Sequence, residues 1–179
     1  MAGKLDDKLS NVFIKQDTGL YTELFIIGEL GLKDDAGKYL SSGYTPKERF
    51  KLMKKEYNLA QDNVVKPLAF ERSDGKSYHI FERIDGDMLM SSLYRLKKDK
   101  ALCKDVKEQI LNVVEKLHSN GYVHGDLVGG NNIMLTKDGT IKLIDQLYVP
   151  KKFQYGESFV KLDDLSVKSV INLINLKVY

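Results

Sequence analysis

Two kinds of hydrophobic pattern divide this chain. Short apolar runs dominate residues 11–81, and longer stripes with helical spacing follow from about residue 88. Residues 12–14 and 23–27 flank a turn-like Asp-Thr-Gly and predict a hairpin, and residues 38–40 predict a third strand. Residues 64–70 and 78–81, around a turn at 73–76, predict a second hairpin. The first part is therefore predicted to contain a small antiparallel sheet.

Three segments have the spacing of amphipathic helices. The first opens with Thr45, Pro46 and Glu48, the arrangement of a capping box. Its predicted apolar face consists of Phe50, Met53, Tyr57 and Ala60. The second helix is predicted to end at Asn120-Gly121, and its stripe consists of Val106, Ile110, Val113, Val114 and Leu117. The third is predicted over about residues 161–176, with an apolar face of Leu165, Val170, Ile171 and Ile174.

The amino-acid composition limits the class of protein to which this chain can belong. Hydrophobic residues make up 42% and charged residues 30% of the 179 positions, as in ordinary globular proteins. Cys103 is the only cysteine, so an intramolecular disulfide is excluded and a reducing compartment is indicated. The net charge of +3 is small, and no apolar run approaches the ~20 residues that span a bilayer. We expect a cytoplasmic monomer that binds no membrane and no specific nucleic acid.

The most informative motif lies between residues 117 and 145. It reads His-Gly-Asp-Leu at residues 124–127, continues to Asn-Asn at 131–132, and reaches Ile-Asp at 144–145 after a predicted hairpin. This order resembles the catalytic loop and metal-binding strand of protein kinases, H-R-D-L-x-x-x-N followed by D-F-G. Glycine replaces the arginine of that signature, and Gln146-Leu147 replaces its final Phe-Gly. The resemblance implies phosphoryl transfer from ATP with Mg²⁺.

The resemblance also implies a role for each polar residue of the motif. Asp126 would accept the proton of the acceptor hydroxyl, while an asparagine and Asp145 would hold Mg²⁺ through oxygen atoms. The signature spacing from Asp126 points to Asn131, whereas the apolar strand that follows and the separation from Asp145 favour Asn132. We expect Asn132 to be the ligand, and Asn131 stays an alternative.

Further positions extend the resemblance. Glu56 lies mid-helix, where a kinase-like enzyme carries the glutamate that pairs with the phosphate-binding lysine, and Lys38 is the candidate lysine. Lys15 and Lys33 are weaker candidates, and the strand register would place Ser42 at the lysine position. The glycine-rich loop is reduced to Gly19. The backbone at Glu82 and Ile84 would bind adenine at a hinge, and Asp163 would brace the loop near His124.

The spacing after Asp145 departs from ordinary protein kinases. Asp163 follows 18 positions later and no Ala-Pro-Glu tripeptide occurs, so the usual activation segment and peptide-gripping surface are not expected. This outline is similar to the minimal kinases that Gram-negative pathogens inject into host cells. That similarity implies an effector secreted into the host cytosol, where it phosphorylates a folded protein. The implied partner is the Hsp90 chaperone or the ubiquitin-conjugating machinery.

The expected fold is α+β, a minimal bilobal protein-kinase-like domain over residues 1–179. The N-lobe would cover about residues 1–82, the hinge about 82–87 and a truncated, mainly helical C-lobe about 88–179. The expected function is that of a serine/threonine protein kinase. A small-molecule kinase, acting on a sugar, lipopolysaccharide or antibiotic, is one alternative. A pseudokinase binding module is the other, favoured by the poor glycine loop and the unclear lysine.

Overall fold

The computed structural model describes residues 12–17, 45–145, 149–150 and 156–178. Contacts divide the chain into two compact units, Met1–Lys54 with Pro67–Arg83, and Lys55–Lys66 with Ile84–Tyr179. Helices and small antiparallel sheets together confirm the predicted α+β class. The predicted limits of the lobes and hinge stay predictions. Within the described residues, no helix combines the length and the apolar character needed to cross a bilayer.

The first unit contains a three-stranded antiparallel sheet. Its strands are β1 (Val12–Asp17), β2 (Pro67–Ser73) and β3 (Lys76–Glu82), in the order β1-β3-β2. The pairing of β2 with β3 confirms the second predicted hairpin. In β1, Ile14 lies opposite Ile80 of β3. The strands predicted at residues 23–27 and 38–40 lie outside the described residues.

Helix α1 (Pro46–Leu59) begins with the predicted capping box. The Thr45 amide donates to Glu48 Oε2 at 2.7 Å, and the Glu48 amide donates to Thr45 Oγ1 at 3.3 Å, so each residue satisfies an amide of the other. The amide and the hydroxyl of Thr45 both donate to Glu48 Oε2, and these hydrogen bonds lower the pKa of the Glu48 carboxyl. Phe50 is buried and its ring stacks on His79 of β3 at 5.9 Å between centroids. The predicted apolar face is thus buried at Phe50, Met53 and Ala60, with Tyr57 partly buried.

The second unit holds most of the remaining elements. The described helices are α2 (Leu93–Lys98), α3 (Lys100–Ser119) and α4 (Gly156–Val178), with 3₁₀ turns at Leu89–Ser92 and Val128–Gly130. The described strands are β4 (Gly86–Met88), β5 (Tyr122–Val123), β6 (Ile133–Thr136), β7 (Ile141–Leu143) and β8 (Val149–Pro150). Their sheets have the orders β4-β6-β7 and β5-β8, and β6 with β7 forms the predicted third hairpin.

Helix α3 is the buried centre of this unit. All five predicted stripe residues are at most 4% exposed, because the 3.6-residue repeat keeps them on one face. The helix ends as predicted at Asn120, where Gly121 has φ 82° and its amide bonds to the His118 carbonyl. A left-handed residue at this position favours glycine.

Helix α4 corrects one prediction. Leu165 was expected on the apolar face but is 63% exposed. The buried stripe consists of Phe159, Asp163, Ser166, Val167, Val170, Ile174 and Val178. Leu165 lies two residues beyond Asp163, about 200° round the helix. On this helix an aspartate is therefore buried while a leucine is exposed, because the Asp163 carboxylate accepts hydrogen bonds inside the unit.

Candidate active site

The His-Gly-Asp-Leu motif lies in the loop between β5 and β6. Leu127 is fully buried and packs in the core of the second unit, which anchors the loop, whereas Asp126 is half-buried. Gly125 has φ 81°, a conformation that L residues with a Cβ rarely adopt. A glycine beside Asp126 is therefore required by the backbone that the loop adopts.

Asp163 holds the backbone of this loop from helix α4. Its Oδ2 accepts the amide N–H of His124 at 2.7 Å, and its Oδ1 accepts the amide N–H of Gly125 at 2.8 Å. The His118 ring reaches the same Oδ2 through Nε2 at 3.1 Å. The Asp163 side chain is fully buried, so these donors are what makes its burial tolerable. The predicted bracing role of Asp163 is confirmed.

The His124 ring connects the loop to the residue that precedes Asp145. The amide of Asp126 donates to His124 Nδ1 at 3.2 Å, and His124 Nε2 lies 3.0 Å from the carbonyl oxygen of Ile144. Since Nδ1 accepts, Nε2 carries the proton and donates it. Burial lowers the pKa of His124, although the charge of Asp163 opposes this shift. A neutral ring therefore ties the backbone of Asp126 to that of Ile144.

Asn132 contacts Asp126 directly. Its Nδ2 donates to the Asp126 carbonyl oxygen at 2.7 Å and to Asp126 Oδ2 at 2.8 Å. The Ile144 amide donates to the Asn132 carbonyl at 3.0 Å, which continues the ladder of β6 and β7. The side chain of Asn131 is exposed, while that of Asn132 is half-buried. Asn132 therefore lies just before β6, paired with Ile144 at the open end of the hairpin. Asp145 follows Ile144 directly.

Asp145 is exposed and has φ 59°, a left-handed backbone conformation that is uncommon for a residue with a side chain. Such strain costs about 1–3 kcal/mol and is found preferentially at functional sites. The strand β7 ends two residues earlier, at Leu143, and fixes where this residue leaves the sheet. The geometry thus brings Asp126, Asn132 and the backbone before Asp145 into one connected arrangement.

Comparison with known proteins agrees with this arrangement. The model of the protein kinase domain matches residues 44–153, which is more than half of the chain. The chain belongs to the protein kinase domain family. This match includes the loop and the hairpin that carry Asp126, Asn132 and Asp145.

Individual relatives match a shorter stretch. The hormonally up-regulated neu tumor-associated kinase of Mus musculus is 34% identical over 84 residues, 46% of this chain and 12% of its own length. The sperm motility kinase Tcr mutant form of Mus musculus is 33% identical over 86 residues, 46% of this chain and 17% of its own. The serine/threonine-protein kinase ppk25 of Schizosaccharomyces pombe is 34% identical over 89 residues, 49% of this chain and 21% of its own. The chain thus spans only a minor part of these relatives.

The other predicted residues are placed as follows. Glu56 was expected in the middle of its helix, but it lies in the last turn of α1, within the second unit, and is 1% exposed. Glu82 is the last residue of β3, and Ile84 is the first residue of the longer segment of the second unit. Their contact with adenine stays a prediction. Lys38 and Gly19 lie outside the described residues, so the pairing of Lys38 with Glu56 and the phosphate-binding role of Gly19 are also still predictions.

Metal-binding capacity comes from oxygen donors. Within the part of the chain that the structure describes, no three His, Cys, Asp or Glu side chains gather as a metal site. Amide oxygens are further donors: Asn132 uses its Nδ2 toward Asp126, so its Oδ1 remains as the acceptor that a cation could use. An amide oxygen with the Asp145 carboxylate is a fitting donor set for Mg²⁺, which retains several waters and prefers oxygen.

Sequence reasoning missed two supports of the site. His118 was not predicted to bond to Asp163, because nothing in the pattern distinguishes it from a solvated residue of α3. Gln109 was also missed, although its Oε1 accepts the Ile141 amide at 2.9 Å and its Nε2 donates to the Gly139 carbonyl at 3.0 Å. Gln109 thereby fastens the β6–β7 hairpin to α3. Its place on the helix, one position before the buried Ile110, was the only available signal.

Proposed function

We propose that this chain is an ATP- and Mg²⁺-dependent serine/threonine protein kinase. The observation that carries the proposal is the contact of Asn132 with Asp126, on a loop that Asp163 and His124 hold in place. Phosphoryl transfer depends mainly on positioning and on neutralising phosphate charge. A carboxylate fixed by several buried hydrogen bonds next to an oxygen donor set suits both needs.

Asp126 is assigned the role of accepting the proton of the substrate's acceptor hydroxyl. Asn132 donates to Asp126 Oδ2, which leaves Oδ1 to accept the hydroxyl proton as the hydroxyl oxygen attacks the γ-phosphorus, the bond to the β,γ-bridging oxygen breaks and ADP leaves. Asn132 Oδ1 and the Asp145 carboxylate would hold Mg²⁺, and a bound Mg²⁺ neutralises charge on the phosphates. His124 keeps the two sides of this arrangement in register, because its ring bonds to both backbones.

Serine or threonine as the acceptor residue is inferred from the Schizosaccharomyces pombe relative, which is named as a serine/threonine-protein kinase and of which this chain matches 21%. The secreted-effector role and a folded host substrate, with the Hsp90 chaperone as one candidate, rest on the resemblance to minimal kinases. The 18 positions from Asp145 to Asp163, without Ala-Pro-Glu, support a substrate recognised as a folded surface.

Transfer of labelled γ-phosphate from Mg²⁺-ATP into the proteins of a eukaryotic cell lysate tests the proposal. Asp126→Ala should lower the rate by about 10²–10⁴-fold while nucleotide binding persists, because the proton acceptor is lost and the residues assigned to Mg²⁺ are kept. Asp145→Ala should abolish the Mg²⁺-dependent rate. Asp62→Ala, an exposed aspartate in the turn after α1, is the matched control and should leave the rate unchanged.

The same assay separates the alternatives. A wild-type chain that binds ATP but transfers no phosphate would indicate a pseudokinase. Label recovered in a small molecule and not in protein would indicate a small-molecule kinase. Wild-type rates in both Asp126→Ala and Asp145→Ala would overturn the assignment of the site.

A further inference from the structure

Two side-chain amides bind the edge of strand β7 that does not pair with β6. Ile141 of β7 is fully buried, and its backbone amide donates to Gln109 Oε1 at 2.9 Å. The carbonyl oxygen of Ile141 accepts from Asn63 Nδ2 at 3.2 Å. A buried backbone group needs a hydrogen-bond partner. The side chains of Asn63 and Gln109 therefore supply to Ile141 what a neighbouring strand would supply.

The amides of Asn63 and Gln109 also bind each other. Asn63 Nδ2 donates to Gln109 Oε1 at 3.1 Å. Gln109 Nε2 donates to the Gly139 carbonyl at 3.0 Å and to Asp105 Oδ2 at 2.7 Å. The Gln109 amide thus accepts two hydrogen bonds and donates two, which is its full capacity. A reversed amide would place its NH₂ group against the Ile141 amide, so the orientation of Gln109 is fixed by its partners.

The main chain around Asn63 continues the same contact along β7. The Leu143 amide donates to the Asn63 carbonyl at 2.8 Å, and the Val65 amide donates to the Leu143 carbonyl at 3.0 Å. Residues 63–65 therefore run beside the end of β7, in a parallel bridge at Leu143. Asp145 follows Leu143 by two positions, after the strand has been tied to Asn63 and Gln109 along this edge.

Hydrogen bonds, more than apolar packing, set the position of β7 along its own axis. Ile141 and Leu143 are both 0% exposed, and burial of apolar surface is non-directional. A small slide of the strand would keep both side chains buried but would break the directional contacts with Asn63 and Gln109. Mg²⁺ requires near-ideal octahedral geometry with oxygen at about 2.0–2.1 Å. A displaced Asp145 would therefore weaken metal binding before it altered the fold.

We propose that Asn63 and Gln109 are positioning residues, which hold β7 in the register where the Asp145 carboxylate and Asn132 Oδ1 meet the same Mg²⁺. All of these residues belong to the second unit. The hold on β7 does not depend on the proposed function, whereas the consequence for Mg²⁺ rests on it. Residues that support a metal ligand from behind typically change metal affinity or activity by about 10–100-fold.

Three variants separate this role from a general support of the fold. Gln109→Met keeps the length of the side chain and removes its four hydrogen bonds. Asn63→Ala removes one donor and leaves the Ile141 amide bonded to Gln109. Asn112→Ala is the matched control, because it removes an exposed amide of the same helix α3.

Three measurements are made on each folded variant, with circular dichroism as the test of folding. Hydrogen exchange of the Leu143 and Ile144 amides, followed by nuclear magnetic resonance without nucleotide, reports the hold on β7. Binding of Mn²⁺ in the presence of ADP, followed by electron paramagnetic resonance, reports the metal ligands. Transfer of labelled phosphate from ATP to lysate proteins, over a range of Mg²⁺ concentrations, separates metal affinity from the maximal rate.

Gln109→Met should exchange the Leu143 and Ile144 amides faster than the wild type. It should raise the Mn²⁺ dissociation constant and the half-saturating Mg²⁺ concentration by about 10–100-fold, while the rate at saturating Mg²⁺ changes much less. Asn63→Ala should shift the same quantities in the same direction by a smaller factor, and Asn112→Ala should match the wild type. The double variant should fall short of the combined effects, because both side chains bind each other and Ile141.

A rate that falls by one factor at every Mg²⁺ concentration in Gln109→Met, with half-saturation unchanged, would overturn the proposal, since a merely structural amide gives that result. Wild-type amide exchange in both variants would also overturn it. If Gln109→Met does not fold, Asn63→Ala decides by the same criteria.

Failure of the proposed function gives a different pattern. A wild type that binds Mn²⁺ with ADP but transfers no phosphate would refute the kinase activity, and the exchange and Mn²⁺ measurements would still decide the role of Asn63 and Gln109. A wild type that binds no Mn²⁺ under these conditions would overturn the assigned metal ligands and this proposal together.

Discussion

Removal of the Asp163 carboxylate should be among the most destabilising single changes in the second unit. Asp163→Ala leaves the amides of His124 and Gly125 without their acceptor in a fully buried position. Hydrogen bonds to a charged group contribute about 1.5–3 kcal/mol each, so loss of these two costs about 3–6 kcal/mol. A domain has about 5–15 kcal/mol of total stability, so the variant should be close to unfolding.

Equilibrium urea unfolding followed by circular dichroism measures this cost, provided that the slope of the transition is unchanged. Asp163→Asn is the milder variant. It retains one oxygen acceptor, so its cost should be about half that of the alanine variant, about 1.5–3 kcal/mol. Asp164→Ala is the matched control, because its side chain is 53% exposed and lies 3.6 Å from His118. Its effect should stay within about 0.5 kcal/mol.

The comparison between neighbouring aspartates is what tests the reasoning. If Asp163→Ala unfolds within about 0.5 kcal/mol of Asp164→Ala, the two amide hydrogen bonds do not carry the burial of this carboxylate. The bracing of the Asp126 loop from α4 would then have no energetic basis, even with the distances as observed.

Two further predictions concern the metal ligand and the substrate. Asn132→Ala should lower Mg²⁺-dependent transfer by at least about tenfold more than Asn131→Ala, because Asn132 contacts Asp126 while Asn131 is exposed; equal losses in a magnesium titration would contradict this. A folded acceptor protein should be phosphorylated with at least about 100-fold higher kcat/KM than its isolated acceptor peptide, because docking supplies the orientation. Comparable values for protein and peptide would show that a peptide-binding surface exists.

Local features of this protein are determined by the sequence itself. The capping box of Thr45 and Glu48, the end of α3 at Gly121 and the β6–β7 hairpin all depend on residues within a few positions of one another. Their physical causes, which are amide satisfaction, backbone conformation and apolar periodicity, act over the same short range. The order of residues in the His-Gly-Asp-Leu motif and its hairpin is also a property of the sequence alone, and it indicates the family.

The tertiary structure decided which polar groups are buried and which residues they contact. Asp163 meets the His124 amide across 39 positions of sequence, and Glu56 lies near Asp163 across a still larger separation. The periodicity of the sequence could not predict these contacts, because it identifies the buried face of a helix from the apolar residues alone. It therefore favoured Leu165, which is exposed, over Asp163, which is fully buried. The Asp163 carboxylate is tolerated in the interior because the amide donors of a loop distant in sequence are folded against it, and the whole fold supplies those donors.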